Sequence, residues 1–300
     1  MRKLLLILVL VFQITSAYSQ SAAEGELPRF KVSDVYVQGG GFYENQAYST
    51  LADFKKLAPE SVLLITDLTG YDQSGCCGYS QNYSFSVLAG FQVRNSEGTA
   101  YLRNPLLRAG FTYISASPYS NGYTKEERTQ YDVMTSGNGD IQAYLDSVTY
   151  SSLGMEYKSD QIRFDFSAIF RTDPAARWSL YGGVGLNAGL SFNNSTVITY
   201  SNYEVTNMLF SNGDEYTYSY PDNNDQYMTE VVDNKSAFAG SVYLPLGLDF
   251  RIARKGEFFK RLHLYYEFRP GINITSVPEL ETEVRSFGSS NFGLRINWEN

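Results

Sequence analysis

Through much of the chain after Asn82, apolar and polar side chains alternate one by one. That is the two-residue period of a strand with one greasy face, not the 3.6-residue period of a helix. Tyr83, Phe85, Val87, Ala89, Phe91 and Val93 share one face, and Ser84, Ser86, Gly90, Gln92 and Arg94 share the other. Leu107, Ala109, Phe111 and Tyr113 oppose Arg108, Gly110 and Thr112. Ile162, Phe164, Phe166, Ala168 and Phe170 oppose Arg163, Asp165 and Ser167. The same alternation runs through Trp178 to Leu190, Phe238 to Ile252, Leu262 to Asn273 and Phe292 to Trp298. A weaker segment, Val35 and Val37 against Asp34, Tyr36 and Gln38, brings the predicted strands to eight.

One face of these strands is continuously apolar, while the other collects charges and glycines. A soluble lipocalin-like barrel has the reverse sense, with its apolar face inside around a ligand. A β-sandwich also alternates, so the links between strands are needed to decide. Taken in order they are 44–81, 95–103, 118–160, 171–176, 194–235, 254–260 and 275–285, strictly long then short. In an up-and-down barrel all the long links fall at one end. Outer-membrane barrels have this asymmetry, with short periplasmic turns and longer external loops. Charge sorts the same way: the four long links sum to −15 and the three short ones to +2. The expectation is an all-β chain, an eight-stranded antiparallel up-and-down transmembrane β-barrel with long external loops. Ten strands is the alternative count. Segment 118–160 keeps strand character near Tyr150, Leu153, Met155 and Tyr157, and reads as a hairpin projecting above the membrane. Trp178 and Trp298 fall at the short-turn end, and Tyr83 and Tyr113 toward the loop end, as an aromatic girdle requires.

The first residues carry an address. Met1-Arg2-Lys3 is basic, Leu4 to Phe12 is unbroken apolar sequence, and Thr15-Ser16-Ala17-Tyr18-Ser19 supplies small residues. This is the three-part pattern of a secretory signal peptide, 1–19, followed by a lead-in, 20–31, and a barrel with its loops over 32–298. The apolar run is too short to span a bilayer, and no later stretch approaches the length of a membrane helix.

With its signal peptide, eight strands and final segment Phe292-Gly-Leu-Arg-Ile-Asn-Trp298, the chain resembles small outer-membrane β-barrel proteins of the OmpA/OmpX/OmpW-type superfamily, barrel domain only. The resemblance implies the outer membrane of a diderm (Gram-negative) bacterium as location. It implies the lipid bilayer and lipopolysaccharide as surroundings. The aromatic-ended last strand, similar to the family's C-terminal signature, implies the barrel-assembly machinery as a partner during biogenesis.

Composition narrows the chemistry. A pI near 4.8 leaves no broad basic face for nucleic acid. One His and two Cys leave little material for a zinc site or a His-based triad. The sole histidine, His263, falls on the inward polar face and reads as a lumen side chain bonded to neighbours such as Glu267. Cys76 and Cys77 are adjacent in the first long loop, a candidate vicinal disulfide in an oxidising compartment. Pro221 to Asp225 and Ser136 to Asp140 read as turns rather than calcium loops. Thr50-Leu-Ala-Asp53, with Phe54 and Leu57, reads as a short capped helix in the first loop. No cofactor, metal site or catalytic residue is expected. The expected role is structural or surface-interacting, carried by the acidic external loops. A narrow channel for a small or apolar solute is the alternative, and a lipid-modifying enzyme a second one.

The inward charges lie at similar depths when counted from the short-turn end. A narrow lumen cannot leave buried charges unpaired. A salt-bridged network is therefore expected among Arg108, Arg163, Asp165, Asp249, Arg251, Glu267, Arg269 and Arg295, with Asp34 beside Arg295 where first and last strands meet. The leader makes a direct prediction. The mature protein should fractionate with outer membranes, and N-terminal sequencing should begin at Gln20, with Tyr18 as the alternative start. Recovery from the soluble periplasm would rule out the barrel.

Overall fold

The computed structural model describes residues 29–298 apart from 46, 66, 75–78, 96, 98–99, 136–141, 174–175, 211–212, 219–224, 254–255 and 257. The signal peptide, the cysteine pair and both Asn/Asp/Gly turns except Asp225 lie outside the described residues. In chain order the strands are β1 (Phe30–Asn45), β2 (Ala47–Tyr48), β3 (Asp72–Gln73), β4 (Tyr79–Val93), β5 (Leu106–Thr135), β6 (Gln142–Arg171) and β7 (Trp178–Phe210). They continue with β8 (Glu215–Tyr218), β9 (Gln226–Asp233), β10 (Phe238–Tyr243), β11 (Leu246–Arg251), β12 (Leu262–Ser276) and β13 (Glu283–Asn297). A short helix, α1 (Leu51–Leu57), lies between β2 and β3.

Each long strand pairs antiparallel with the next, and β13 pairs back with β1, so the ladder returns to its start. β10 and β11 pair with the same two neighbours, β7 and β12, and act as one stave. They are separated at Leu244-Pro245, because proline has no N–H to give to the ladder. The result is a ring of eight hydrogen-bonded strands. β2, β3, β8 and β9 pair onto β5 and β7 and lie outside this ring, so the eight-strand count stands over ten.

The alternation sorts as the sequence requires. Along β7, Trp178, Leu180, Val184, Leu186 and Leu190 are all more than half exposed. Phe111, Phe164, Phe170, Val242, Leu264, Ile272 and Phe292 likewise point out of the ring. Leu180 to Leu190 covers roughly 33 Å along the strand at about 3.3 Å per residue. At the strand tilt of about 40° usual in such barrels, this gives a band about 25 Å tall, enough for a bilayer core. Trp178 packs at a tilt against Phe250 at one edge of the band, and Tyr113 meets Phe192 at the other. No described helix is long and apolar enough to cross a membrane.

Of the long external links, 118–160 forms the projecting hairpin expected of it, whereas 194–235 departs from the expected loop. Segments 118–160 and 194–235 are largely strand: β5 and β6 stay paired to Thr135 and Gln142, and β7 continues to Phe210 with β8 and β9 on its outer side. A sheet therefore rises from one side of the ring. These stretches carry polar residues on both faces, so the apolar alternation that marks a membrane strand fades although the backbone ladder continues.

The first loop supports the base of that sheet. Thr50 caps α1 and forms a capping box with Asp53; the Thr50 amide and hydroxyl hold the Asp53 carboxyl below its usual range. Phe54, Leu57, Leu63 and Leu64 are buried against Tyr119, Leu153, Met155, Tyr157 and Ile198 on the inward-facing side of β5–β7. Glu230 of β9 accepts from Ser61, and Asn234 donates to the Leu57 carbonyl. Burial pushes the Tyr157 hydroxyl up to about 12. The outward placement of Trp178 and Trp298 predicts that brominated phospholipids quench the tryptophan fluorescence of the reconstituted protein. Unquenched emission would mean that the apolar faces point inward.

Candidate functional site

The interior of the ring is charged and closely filled. Arg108, Arg163, Asp165 and Glu267 are completely buried, and Asp34, Asp249, Arg269 and Arg295 nearly so. Parity explains this. Arg163, Asp165 and Arg171 share one side of β6, Glu267 and Arg269 one side of β12, and Asp34 and Tyr36 lie on the inward side of β1, where the Ser33 bulge realigns the strand.

Glu267 sits at the centre. One carboxylate oxygen accepts from Arg108 at 2.6 Å and the other from Arg269 Nε. Arg269 reaches on to Asp165 at 3.0 Å, and Asp165 also accepts from Thr112 and Tyr243. Nearer the short turns, Arg295 bridges Asp34 and Asp249, the latter at 2.9 Å, and Asn297 also donates to Asp34. Arg171 lies 4.0 Å from Asp249 and donates to the Tyr36 hydroxyl. Four guanidiniums, from Arg108, Arg171, Arg269 and Arg295, thus face four carboxylates, from Asp34, Asp165, Asp249 and Glu267.

Tyrosine rings fill the space between them. Arg108 and Arg171 both lie over Tyr36 and Tyr181, and Arg269 lies 4.9 Å from the centre of the Tyr243 ring. The rings fold over inward-facing glycines: a β-carbon at Gly185 would overlap Tyr243, and one at Gly247 would overlap Tyr181. A void of about 10 Å³ remains beside Arg269, Thr112, Tyr243 and Phe287, which is room for about one water.

Three of the expected contacts are different. Arg163 meets no carboxylate directly; it donates to Gln161, Asn187 and Asn273, and Asn273 in turn donates to Glu44. It lies on the loop side of Asp165, where the neighbouring inward residues are amides. Arg251 is two residues closer to the turn than Asp249 and donates to the Ala176 carbonyl, at the edge of the cluster. His263 is hydrogen-bonded to Asp249, not Glu267, because its cross-strand partner is Arg251, next but one to Asp249 on β11. That bond holds the sole histidine inside the ring, away from the lipid face.

Two buried participants fall inside segments that the sequence reading assigns to links. Arg171 belongs to the short link 171–176 and Glu44 to the long loop 44–81, yet each continues the inward parity of its strand. Parity carried one residue further would have placed both. Cys76 and Cys77, by contrast, lie outside the described residues.

An apolar outside and a charge-paired inside is the inverse of a soluble barrel. This is a small β-barrel of the outer-membrane kind. No protein-family model matches the chain, and no curated protein sequence does. Among solved structures, it is similar to neisserial surface protein A, with 12% identity, a TM-score of 0.30, and coverage of 88% of this chain and 97% of that one. It is also similar to Ail, the attachment invasion locus protein of Yersinia pestis, with 9% identity, a TM-score of 0.22, and coverage of 89% of this chain and 100% of that one.

Breaking a buried pair leaves a charge without a partner and costs far more than the pair contributes against apolar substitutes. Glu267→Gln should therefore destabilise the folded protein by about 3–5 kcal/mol, read from denaturant unfolding in micelles. Adding Arg108→Met to that variant should recover part of the loss. A Glu267→Gln cost near 1 kcal/mol would mean that water screens the lumen, as at an exposed pair.

Proposed function

We propose that this protein is a closed outer-membrane barrel that serves as a mount for an external interaction surface, rather than as a channel. The single observation that carries the reading is the slab of four guanidiniums and four carboxylates across the ring. A hydrated ion needs a continuous path, and opening one here would separate buried charges from their partners.

Outside the ring, β5, β6 and β7 run to 30, 30 and 33 residues, about twice the length of β4 or β12. A strand of about 9–11 residues is enough to cross a bilayer. The excess is ordered sheet, buttressed by the first loop, and it presents side chains away from the membrane. The acidic balance of segments 118–160 and 194–235, −4 and −6, keeps that sheet soluble and disfavours anionic partners.

Planar-bilayer recording tests the proposal. The wild-type protein should give no steady conductance, while the double variant Glu267→Gln/Asp165→Asn should leak if it still folds. A stable open level in the wild type, with ion selectivity altered by Asp249→Asn, would replace this reading with the narrow channel.

A further inference from the structure

The external sheet has two faces, and the first loop covers the base of only one. Leu153, Met155 and Ile198 face α1 and the turn after it. The alternate residues face away from the barrel axis. On that side Tyr150 stands opposite Tyr203, Ser152 opposite Ser201, and Ser201 in turn opposite Tyr227 of β9. The rings of Tyr150 and Tyr203 are stacked at 5.3 Å, and Tyr227 is three-quarters exposed. One step toward the membrane, Gly154 pairs with Thr199, and a β-carbon added at Gly154 would have the Thr199 carbonyl as its nearest neighbour, at 3.9 Å. The result is a shallow open floor of Gly, Ser and Thr with tyrosine rings along its upper edge and Val197 and Val231 below it.

We infer that this face binds the neutral oligosaccharide chains of lipopolysaccharide in the same leaflet. The inference rests on the reading of the external sheet as the interaction surface. Three observations select this occupant. The first is chemistry: exposed tyrosine rings offer flat apolar faces to the C–H side of a pyranose, and the serine and threonine hydroxyls can both donate to and accept from its hydroxyls. A protein partner would be expected to seat apolar anchors in a pocket, and the floor here has small polar residues instead. The second is charge. Glu126 lies beside Tyr150 and pairs with Arg128, Glu156 pairs with Lys158, and Asp233 lies on the same face. With its cations already paired, the face offers no surplus positive charge to phosphorylated or sulfated sugars and leaves neutral ones. The third is position. Tyr150 lies ten residues beyond Asp160, which the girdle residue Tyr113 contacts, or about 30 Å along the strand. The face looks sideways over the membrane at the height of the leaflet's outer sugars, not up into the medium.

The test uses the full chain in detergent and calorimetric titration with a neutral outer-core hexose oligosaccharide of lipopolysaccharide, free of phosphate and sugar acids. Binding should be saturable, and Tyr203→Ala and Tyr227→Ala should each weaken it at least fivefold. Gly154→Tyr should abolish it by filling the floor. Unheated gel mobility reports whether each variant keeps its barrel; Tyr227→Ala, at an exposed position on β9, serves if the others do not fold. Absence of binding, equal binding by wild type and Tyr227→Ala, or tighter binding of a heparin oligosaccharide would each overturn the proposal. So would self-association of the wild type that Tyr203→Ala removes, since a second copy would then be the occupant. Bilayer conductance is read separately, so a failure here is distinct from a failure of the closed-barrel reading.

Discussion

Glu267 and the two guanidiniums it holds set the terms for the rest of the structure. A ring of eight strands encloses little more than the width of its own side chains. Whatever points inward is removed from water on every side by backbone and by lipid beyond it. Charges placed there persist only as a neutral, mutually bonded set. The four-to-four balance of carboxylates and guanidiniums meets that condition. The tyrosines do the remaining work: they cover guanidinium faces, give hydroxyls to Asp165 and Gln38, and require glycine on the strand beside them. Inward glycine and inward tyrosine are one packing unit, and neither could be exchanged alone without overlap or a cavity.

Closure of the ring and neutrality of its contents reinforce each other. Asp34 on β1 reaches Arg295 on β13, the pair of strands that completes the circle, and Arg295 reaches Asp249 on β11. Arg108 on β5 reaches Glu267 on β12, across the lumen. Ion pairs between strands adjacent in the ring favour the register, while pairs across it hold opposite walls at a fixed distance. Such a cluster is poor evidence for stability, since apolar side chains could fill the same volume. Its distinctive contribution is specificity: a strand slipped by one residue would turn these charges toward lipid, which is costly enough to exclude the alternative register.

Most of this was legible in the sequence, and the reasons for the remainder are physical. Period-two alternation is visible wherever one face meets lipid, so the eight staves and the inward positions of Arg108, Asp165, Asp249, Glu267, Arg269 and Arg295 could be read directly. The signal fails where the sheet leaves the membrane. Above Tyr119 and Tyr157, water or a thin layer of loop meets each face, and Ser147, Thr149, Ser151, Asn202 and Glu204 can then occupy either side of a perfectly regular ladder. The links 171–176 and 44–81 begin on residues that still follow the inward parity of their strands, so Arg171 and Glu44 fall outside the alternating segments. Partner choice within the lumen was legible only by depth. Arg163 lies close to Asp165 in sequence but among the amides Gln161, Asn187 and Asn273, and no periodicity shows which neighbouring strands bring those amides near.

The division of charge along the molecule follows from the same constraint. The interior has to be neutral, so the net charge of the chain is displaced to its water-facing ends, and the four long links alone sum to −15. Lumen pairs are shielded from salt by burial, whereas charges on the external sheet are screened within about a Debye length. The two halves of the molecule should therefore respond differently to their surroundings: a barrel indifferent to ionic strength, carrying a sheet whose surface ion pairs are screened by it. On the proposed reading, this arrangement separates persistence in the membrane from recognition outside it. Substitutions on the outward face of β6 and β7 leave the ring intact, because the residues that hold it together are on the other side of the backbone and far below.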